Sequence, residues 1–161
     1  MADDWTARIN TGVPNPARIY DYFLGGKDNF PADRDVADQV LDIAPVARDV
    51  VEDNRAFLRR VVDHLTREAG VRQFIDLGSG LPTQGNVHEI AQAAAPEARV
   101  VYVDNDPMVV AHSRALLAGD NTVAIEADLR QPDTVLEHPD VRELIDFDRP
   151  VALLLLAILH F

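Results

Sequence analysis

The sequence predicts an α/β fold in which helices cover both faces of a parallel β-sheet. After Gly70, short runs rich in β-branched residues alternate with stretches of helical spacing, which is the order of elements in βαβ units. The strand-like runs are apolar at most positions, as in strands that are buried on both faces. We therefore expect parallel strands joined by right-handed crossovers.

The residues that precede this alternating region predict three helices. Asn15 is a helix cap and Pro16 a first helical residue, and the glycine pair 25–26 ends this short helix. A second helix is predicted over 31–45, ended by a proline. The apolar positions that follow keep helical spacing, which predicts a long amphipathic helix over 46–70.

Four strands are predicted after these helices. The predicted strands are 73–77, 99–104, 122–128 and 151–159, and the predicted helices between them are 85–95, 107–118 and 132–146. Strands connected in this way form a Rossmann-like sheet with the expected order 3-2-1-4. We divide the chain into an N-terminal helical cover, 1–70, and a Rossmann-like core, 71–161, with the fourth strand at an edge of the sheet.

Composition and charge exclude several classes of function. The 161 residues include no cysteine, which excludes disulfides and thiolate chemistry and fits a reducing compartment. The formal net charge of −12 disfavours binding to nucleic acid. No apolar run is long enough to span a membrane, and the polar N-terminus is unlike a signal peptide. We expect a cytoplasmic protein with no nucleic-acid or membrane partner.

Acidic residues and glycines follow the first three predicted strands, at the edge where such sheets bind ligands. The first strand leads into Asp76-Leu77-Gly78-Ser79-Gly80, whose glycines permit a tight turn and close approach to a ligand. Asp104 comes 24 residues after Gly80, where an acid accepts hydrogen bonds from a ribose diol. Asp128 could accept from an adenine amino group, and Leu129 could contact the ring. Together these residues predict an adenosine-binding site.

The charge of Asp76 decides between two adenosine cofactors. The glycine spacing G-x-G-x-x-x-x-G has Thr83 where a dinucleotide fingerprint has its third glycine. The pyrophosphate of NAD also needs free amides and a helix N-terminus, and a carboxylate there would repel it. S-adenosylmethionine carries a sulfonium and an ammonium group and no phosphate, so an acid beside the glycine loop attracts it.

The strand-end motifs resemble the cofactor motifs of class I S-adenosylmethionine-dependent methyltransferases. These motifs are D-L-G-S-G, V-Y-V-D-N-D-P and E-A-D-L-R. More narrowly, TGVPNPARIYDYFLGGKDNFPADR, FIDLGSGLPTQGNVHEIAQ and VALLLLAILHF are similar to the S-adenosyl methyltransferase group once catalogued as domain of unknown function 574. The resemblance covers nearly the whole chain.

The resemblance implies S-adenosyl-L-methionine as the cofactor and assigns residues to its parts. The implied contacts are Asp76, Gly78, Ser79 and Gly80 at the methionine part, Asp104 at the ribose, Asn105 and Met108 near the adenosine, and Asp128 and Leu129 at the base. The histidines show no metal-ligand spacing, so no metal site is predicted. No catalytic residue is assigned.

Three further contacts are predicted from the helical cover. Arg55, beside Asn54, is placed to hold the methionine carboxylate if the long helix packs over the glycine loop; the alternative is that Asn54 only bonds backbone. Tyr22 and Asn29, in the stretch YDYFLGGKDNF, are expected in a lid over the cofactor. Aromatic residues at this helical spacing favour core contacts equally.

The leading hypothesis is the cofactor-binding portion of a methyltransferase that acts on an unidentified, small-molecule acceptor. The sulfonium methyl group is already activated, so the protein mainly positions the acceptor in line. The alternative is a noncatalytic module that binds S-adenosylmethionine or S-adenosylhomocysteine, or an inactive fragment; a nicotinamide dehydrogenase is disfavoured. Members of the group continue past the fourth strand, so we expect truncation here, or self-association through the exposed fourth strand.

Overall fold

The computed structural model describes residues 10–83, 85–116 and 119–159. Four parallel strands form one sheet in the order β3-β2-β1-β4. The strands are β1 Gln73–Leu77, β2 Arg99–Asp104, β3 Thr122–Glu126 and β4 Ala152–Leu154. This order and architecture confirm the fold class predicted from the sequence.

Three helices precede the sheet and four follow its strands in the described ranges. The first group is α1 Pro16–Phe23, α2 Pro31–Ile43 and α3 Ala47–Arg67, and the second is α4 Val87–Ala94, α5 Pro107–Leu116, α6 Pro132–Leu136 and α7 Pro139–Leu144. The first helix begins as predicted, because the Asn15 side chain accepts hydrogen bonds from the backbone N–H groups of Ala17 and Arg18, at 2.8 and 3.3 Å. None of the described helices combines the length and the apolar character that a membrane span needs.

The single helix predicted over 132–146 is wrong, since the chain forms α6 and α7 instead. Pro139 begins α7 and has no N–H to continue the hydrogen-bond pattern of α6. His138 caps the new helix by accepting from the backbone N–H of Asp140 at 3.2 Å. Apolar residues occur on both sides of this break, at Val135 and Leu136 and again at Val141, Leu144 and Ile145, and they were assigned to one helix.

The strand predicted over 151–159 is also much shorter in the structure. Only Ala152–Leu154 pair with β1. Ala157 has a φ of +53°, which is incompatible with an extended strand. The chain turns after β4 so that the Ile158 side chain lies directly over Gly78. The apolar run 151–159 therefore forms the edge strand β4 and, through Ile158, one wall of the space beyond the end of β1.

Both faces of the sheet are buried, as its apolar strands predicted. The first face packs on α3 and α4, and the second packs on α6 and α7. The first core includes Leu58, Val62, Phe74, Val100 and Tyr102, and the second includes Ile75, Val101, Val103, Val135 and Val141. Because side chains alternate along a strand, Asp76 lies on the same face as Phe74, towards α3.

Polar contacts attach the N-terminal helices to the sheet. Arg18 of α1 and Asp33 of α2 form a buried ion pair, with 2.9 Å between Nε and Oδ2. The Asn15 amide donates to Asp106 at 2.5 Å, which joins the start of α1 to the turn after β2. Since α3 shares the first core of the sheet, it covers the sheet directly; the proposed division at residue 70 remains a prediction.

Candidate functional site

The carboxyl ends of β1, β2 and β3 meet beside one cavity. Because these strands are neighbours and parallel, the residues that follow them lie at the same edge of the sheet. The cavity has a volume of about 190 Å³ and is lined by Gly78, Val103, Asp104, Asn105, Ala127, Asp128, Leu129, Arg130 and Ile158. Five of the residues predicted to bind cofactor are therefore brought together: Gly78, Asp104, Asn105, Asp128 and Leu129.

A second, narrow cleft lies towards α3 and contains the rest of the glycine loop. It is lined by Arg55, Asp76, Ser79, Gly80, Pro82, Asn86, Val87, Tyr102 and Ser113. The structure thus places Arg55 of α3 in the same cleft as Asp76, and its contact with the methionine carboxylate remains a prediction. The partner of Asn54 is Tyr20, whose hydroxyl accepts from the Asn54 amide at 2.8 Å.

The backbone N–H groups of Gly78, Ser79 and Gly80 donate to the protein itself. The amides of Gly78 and Ser79 donate to the Val103 carbonyl at 2.8 and 3.1 Å. The amide of Gly80 donates to Oδ2 of Asp104 at 2.9 Å. A phosphate group needs free amides at such a loop. These three amides are therefore not free to bind a pyrophosphate, which is an argument against NAD that the sequence did not show.

The two glycines of the turn differ in what surrounds them. Both have positive φ, +71° at Gly78 and +66° at Gly80, a conformation that favours glycine. A β-carbon at Gly78 would lie 2.5 Å from Cγ1 of Ile158, whereas one at Gly80 would have no atom within 4 Å. Gly78 is thus packed by the protein, and Gly80 faces open space that a ligand can enter.

Asp76 is buried and its charge depends on its neighbours. Asp76 is only 8% exposed. Burial raises the pKa of Asp76 to about 7; the Arg55 guanidinium opposes this rise, and the carboxylate of Asp104 adds to it. The sequence argument treated Asp76 as fully ionised. In the structure its pKa lies near neutral pH even with Arg55 beside it, so a positively charged ligand would favour the ionised form.

Asp104 joins the glycine loop to the turn after β2. Its Oδ2 accepts from the Gly80 amide, and its Oδ1 accepts from the Asp106 amide at 3.0 Å. Burial raises the pKa of Asp104, and these hydrogen bonds oppose the rise. Because each carboxylate oxygen has a second lone pair, the side chain can still accept from a ligand hydroxyl.

Asp128 forms an ion pair with Arg130, and both residues line the cavity. The guanidinium donates to both carboxylate oxygens, with 2.6 Å between its Nη2 and Oδ2. These hydrogen bonds lower the pKa of Asp128 to about 2, so it is an acceptor and not a proton donor. Arg130 was not predicted as a site residue.

Three predicted cofactor contacts line neither cavity, and the structure assigns them other partners. Met108 is buried against Leu81 and Val109. The Tyr22 hydroxyl donates to Asp38 at 3.1 Å on the outer side of α1. The Asn29 amide donates to Asp21 at 2.9 Å. The hydrogen bonds of Tyr22 and Asn29 are thus local to the N-terminal helices, and the expected lid over the cofactor remains a prediction.

Besides Arg130, sequence reasoning missed two residues that shape the site, Tyr102 and Ile158. Tyr102 lies beside Asp76 across the β1–β2 register and lines the narrow cleft. Its buried hydroxyl accepts from the backbone N–H of His88 at 2.9 Å, and burial raises its pKa. Its position two residues before Asp104 on β2 is the signal that could have found it. Ile158 was hidden inside the run read as a strand.

No group of three or more acidic or histidine residues in the described ranges is arranged to hold a metal ion. The site as a whole consists of a glycine turn, acidic side chains at three adjacent strand ends and one arginine from α3. That combination, on a parallel sheet of order 3-2-1-4, defines a Rossmann-like α/β protein of the methyltransferase type.

The chain belongs to the S-adenosyl methyltransferase family, whose sequence model matches residues 2–161. This confirms the family resemblance identified from the motifs. No protein among curated sequences matches the chain significantly.

Two solved structures are similar to the whole described fold. A proposed methyltransferase from Thermobifida fusca YX is 54% identical, with a TM-score of 0.91 over 93% of this chain and 57% of that one. A protein of the domain of unknown function 574 family from Streptomyces avermitilis MA-4680 is 48% identical, with a TM-score of 0.90 over 93% of this chain and 58% of that one. The chain thus spans less than two thirds of the length of either structure.

Proposed function

We propose that the chain is the cofactor-binding portion of an S-adenosylmethionine-dependent methyltransferase with a small-molecule acceptor. The observation that carries the proposal is the glycine turn. Its amides are used internally, its open side lies at Gly80, and Asp76 lies beside it at the narrow cleft. Such a turn has room for a ligand but attracts a cation in preference to a phosphate.

The residues present fit this cofactor at each part. Asp76 would face the positive charges of the methionine part, and Arg55 would hold its carboxylate. Asp104 would accept from the ribose hydroxyls, while Asp128 and Leu129 would contact the base. The cofactor supplies an activated methyl group, so the protein's task is to orient it, exclude water and hold the acceptor in line.

A buried hydroxyl at the loop supports a polar ligand there. Among the described residues, the Oγ of Ser79 has no hydrogen-bond partner although it is inaccessible. A buried polar group without a partner costs about 1–3 kcal/mol. Ser79 lines the narrow cleft with Asp76, so a ligand that reaches the cleft can satisfy it.

A noncatalytic module that binds the same cofactor or its demethylated product is the second candidate. The observation that favours it is the chemistry of the cavity lining. The titratable side chains that the structure places around the larger cavity are Asp104, Asp128 and Arg130, which bind but are poorly suited to remove a proton from an acceptor. Methyl transfer to a panel of small nucleophiles, measured with radiolabelled cofactor, distinguishes the two candidates.

Calorimetric titration with S-adenosylmethionine, S-adenosylhomocysteine and NAD tests the proposed cofactor. We expect saturable binding of the first two, in the micromolar range of about 1–100 µM typical of a preformed polar site, and none of NAD at the same concentrations. The reason is the sign of the charge and the internal use of the loop amides. Binding of NAD without the sulfonium compound would reject the proposal.

Ser79→Ala is expected to leave the ligand-free fold intact and to weaken cofactor binding. Removing a buried hydroxyl that has no partner should raise the free energy of unfolding, by at most about 1–3 kcal/mol. The loss of one ligand hydrogen bond should lower affinity for S-adenosylmethionine by roughly 5-fold to 10-fold. Urea denaturation and calorimetry measure the two effects.

Thr83→Val is the matched control for this experiment. Thr83 also has a buried hydroxyl with no partner among the described residues, but its side chain lines neither cavity. We expect a similar small change in stability and no change in cofactor affinity. Equal losses of affinity in both variants would show that the effect comes from the loop conformation and not from a contact of Ser79.

A further inference from the structure

The outer surface of α3 carries an exposed stripe that the proposed function does not use. We define the outer stripe by residues that follow one another along α3 at alternating spacings of four and three. They are Val46, Val50, Asp53, Phe57, Arg60 and His64. The apolar members are 59%, 60% and 47% exposed at Val46, Val50 and Phe57. Ile43, at the end of α2 just before the stripe, is 86% exposed. Spacings of four and three are those of a helix seam that packs against another helix.

The orientation of α3 fixes this exposure. Its opposite side is buried through Val51, Leu58 and Val62, and the latter two lie in the core of the sheet. The helix cannot rotate to bury the outer stripe without removing these residues from the core. A sequence that places apolar residues on both sides of a surface helix predicts packing on both sides.

The charges along α3 are divided between its two halves. Residues 47–53 carry Asp49, Glu52 and Asp53 against Arg48, whereas residues 59–67 carry Arg59, Arg60 and Arg67 against Asp63. The N-terminal half is therefore net acidic and the C-terminal half net basic. The basic half is unusual in a chain whose formal net charge is −12.

We propose that the outer stripe is an interface with a second copy of this chain, in which two α3 helices pack antiparallel about a twofold axis. Antiparallel pairing places the acidic half of each helix against the basic half of the other. Parallel pairing would place Asp53 against Asp53 and Arg60 against Arg60, and like charges at a helix interface are unfavourable. With Asp53 of each helix opposite Arg60 of the other, the two Phe57 side chains lie side by side at the twofold axis.

A twofold pairing suits this surface better than an unrelated acidic or basic partner. The stripe is complementary to itself, because it contains both halves of the charge pattern on one helix, which is the requirement of an isologous interface. The overall charge of −12 repels a second copy at most other faces. At α3 this repulsion is offset, because the basic half of each helix faces the acidic half of the other.

Sedimentation equilibrium of the full chain over about 1–200 µM tests the proposal. We expect a reversible monomer–dimer equilibrium that Phe57→Glu shifts at least about 10-fold towards monomer. Because Phe57 is already exposed, circular dichroism should show an unchanged fold and thermal midpoint for the variant monomer. A chain that stays monomeric over the whole range would overturn the proposal.

Charge exchange gives the sharper test of the antiparallel geometry. Arg60→Glu and Asp53→Arg should each weaken self-association, and an equimolar mixture of the two variants should form a heterodimer more tightly than either forms a homodimer. Leu153→Glu tests the rival interface at β4, where Leu153 is 57% exposed on the edge strand. A dimer that survives Phe57→Glu but is lost in Leu153→Glu would overturn the α3 interface in favour of the edge strand.

Discussion

Asp76→Asn is expected to stabilise the ligand-free protein above pH 7 and to weaken its binding of S-adenosylmethionine. The two effects have one cause. Burial raises the pKa of Asp76 from 3.8 to about 7, so the folded protein resists the charge that the proposed cofactor needs. Replacing the carboxyl group by an amide removes both the cost of the buried charge and the attraction for a cation.

The pH dependence of the stability effect follows from linkage. Between the unfolded pKa near 3.8 and the folded pKa near 7, the folded state binds more protons than the unfolded state. The contribution of this group to the free energy of unfolding therefore falls as the pH rises, and the full penalty is present above about pH 7. We expect Asp76→Asn to gain roughly 2–4 kcal/mol over the wild type at pH 8 and almost nothing at pH 4.

The binding effect has the opposite sign. A sulfonium or ammonium group beside Asp76 lowers its pKa, so binding below about pH 7 must release a proton. Affinity of the wild type for S-adenosylmethionine should rise from pH 6 to pH 8, and that of Asp76→Asn should be about 10-fold to 100-fold weaker at pH 8. Calorimetry in buffers of different ionisation enthalpy counts the released protons.

S-adenosylhomocysteine is the control ligand, because its sulfur is uncharged. We expect Asp76→Asn to weaken its binding less than that of the sulfonium compound. Equal losses for both ligands, with no proton release in either protein, would show that Asp76 acts on the fold of the loop and not on the charge of the ligand.

Gly80→Ala is expected to abolish cofactor binding at a modest cost in stability. Gly80 has a φ of +66°, so any residue with a β-carbon is strained there by about 1–2 kcal/mol. The β-carbon meets no protein atom within 4 Å and instead enters the open space beside the turn. If the ligand occupies that space, affinity should fall by more than about 100-fold.

Two glycines of nearly equal φ provide the controls. Gly70, at +70°, also has open space around it but precedes β1, whereas the turn follows this strand, so Gly70→Ala should cost the same stability and leave binding unchanged. Gly78→Ala adds the 2.5 Å contact with Ile158 to the backbone strain and should cost roughly 2–4 kcal/mol. If Gly80→Ala binds S-adenosylmethionine as tightly as Gly70→Ala does, the open side of the turn is not where the cofactor lies.

The fold could be predicted from the sequence because its signals are local and agree with one another. Asn15 with Pro16 fixes the start of α1, and strands buried on both faces are apolar at successive positions. The two errors of length come from the same apolar signal. Apolar residues continue past Pro139, where α7 begins, and past Leu154, where the chain leaves the sheet before Ile158 reaches Gly78.

The candidate site was predictable where it depends on topology and not where it depends on packing. Strand order brings Asp104 and Asp128 to one cavity, and this follows from the sequence. The ionisation of Asp76 depends on how deeply α3 buries it and on the distance to Arg55, which no spacing rule gives. Tyr22 and Met108 were assigned by resemblance of a stretch, but their side chains contact Asp38 and the core around Leu81.

Asp104 holds the Gly80 amide with one carboxylate oxygen and is also the proposed acceptor for the ribose. A single side chain thereby recognises the sugar and also maintains the turn that receives the neighbouring part of the cofactor. A substitution at position 104 that is designed to accept a modified nucleoside would also remove the hydrogen bond that holds the Gly80 amide. Altered cofactor preference in this scaffold will therefore require a compensating change near residue 80, introduced together with the first.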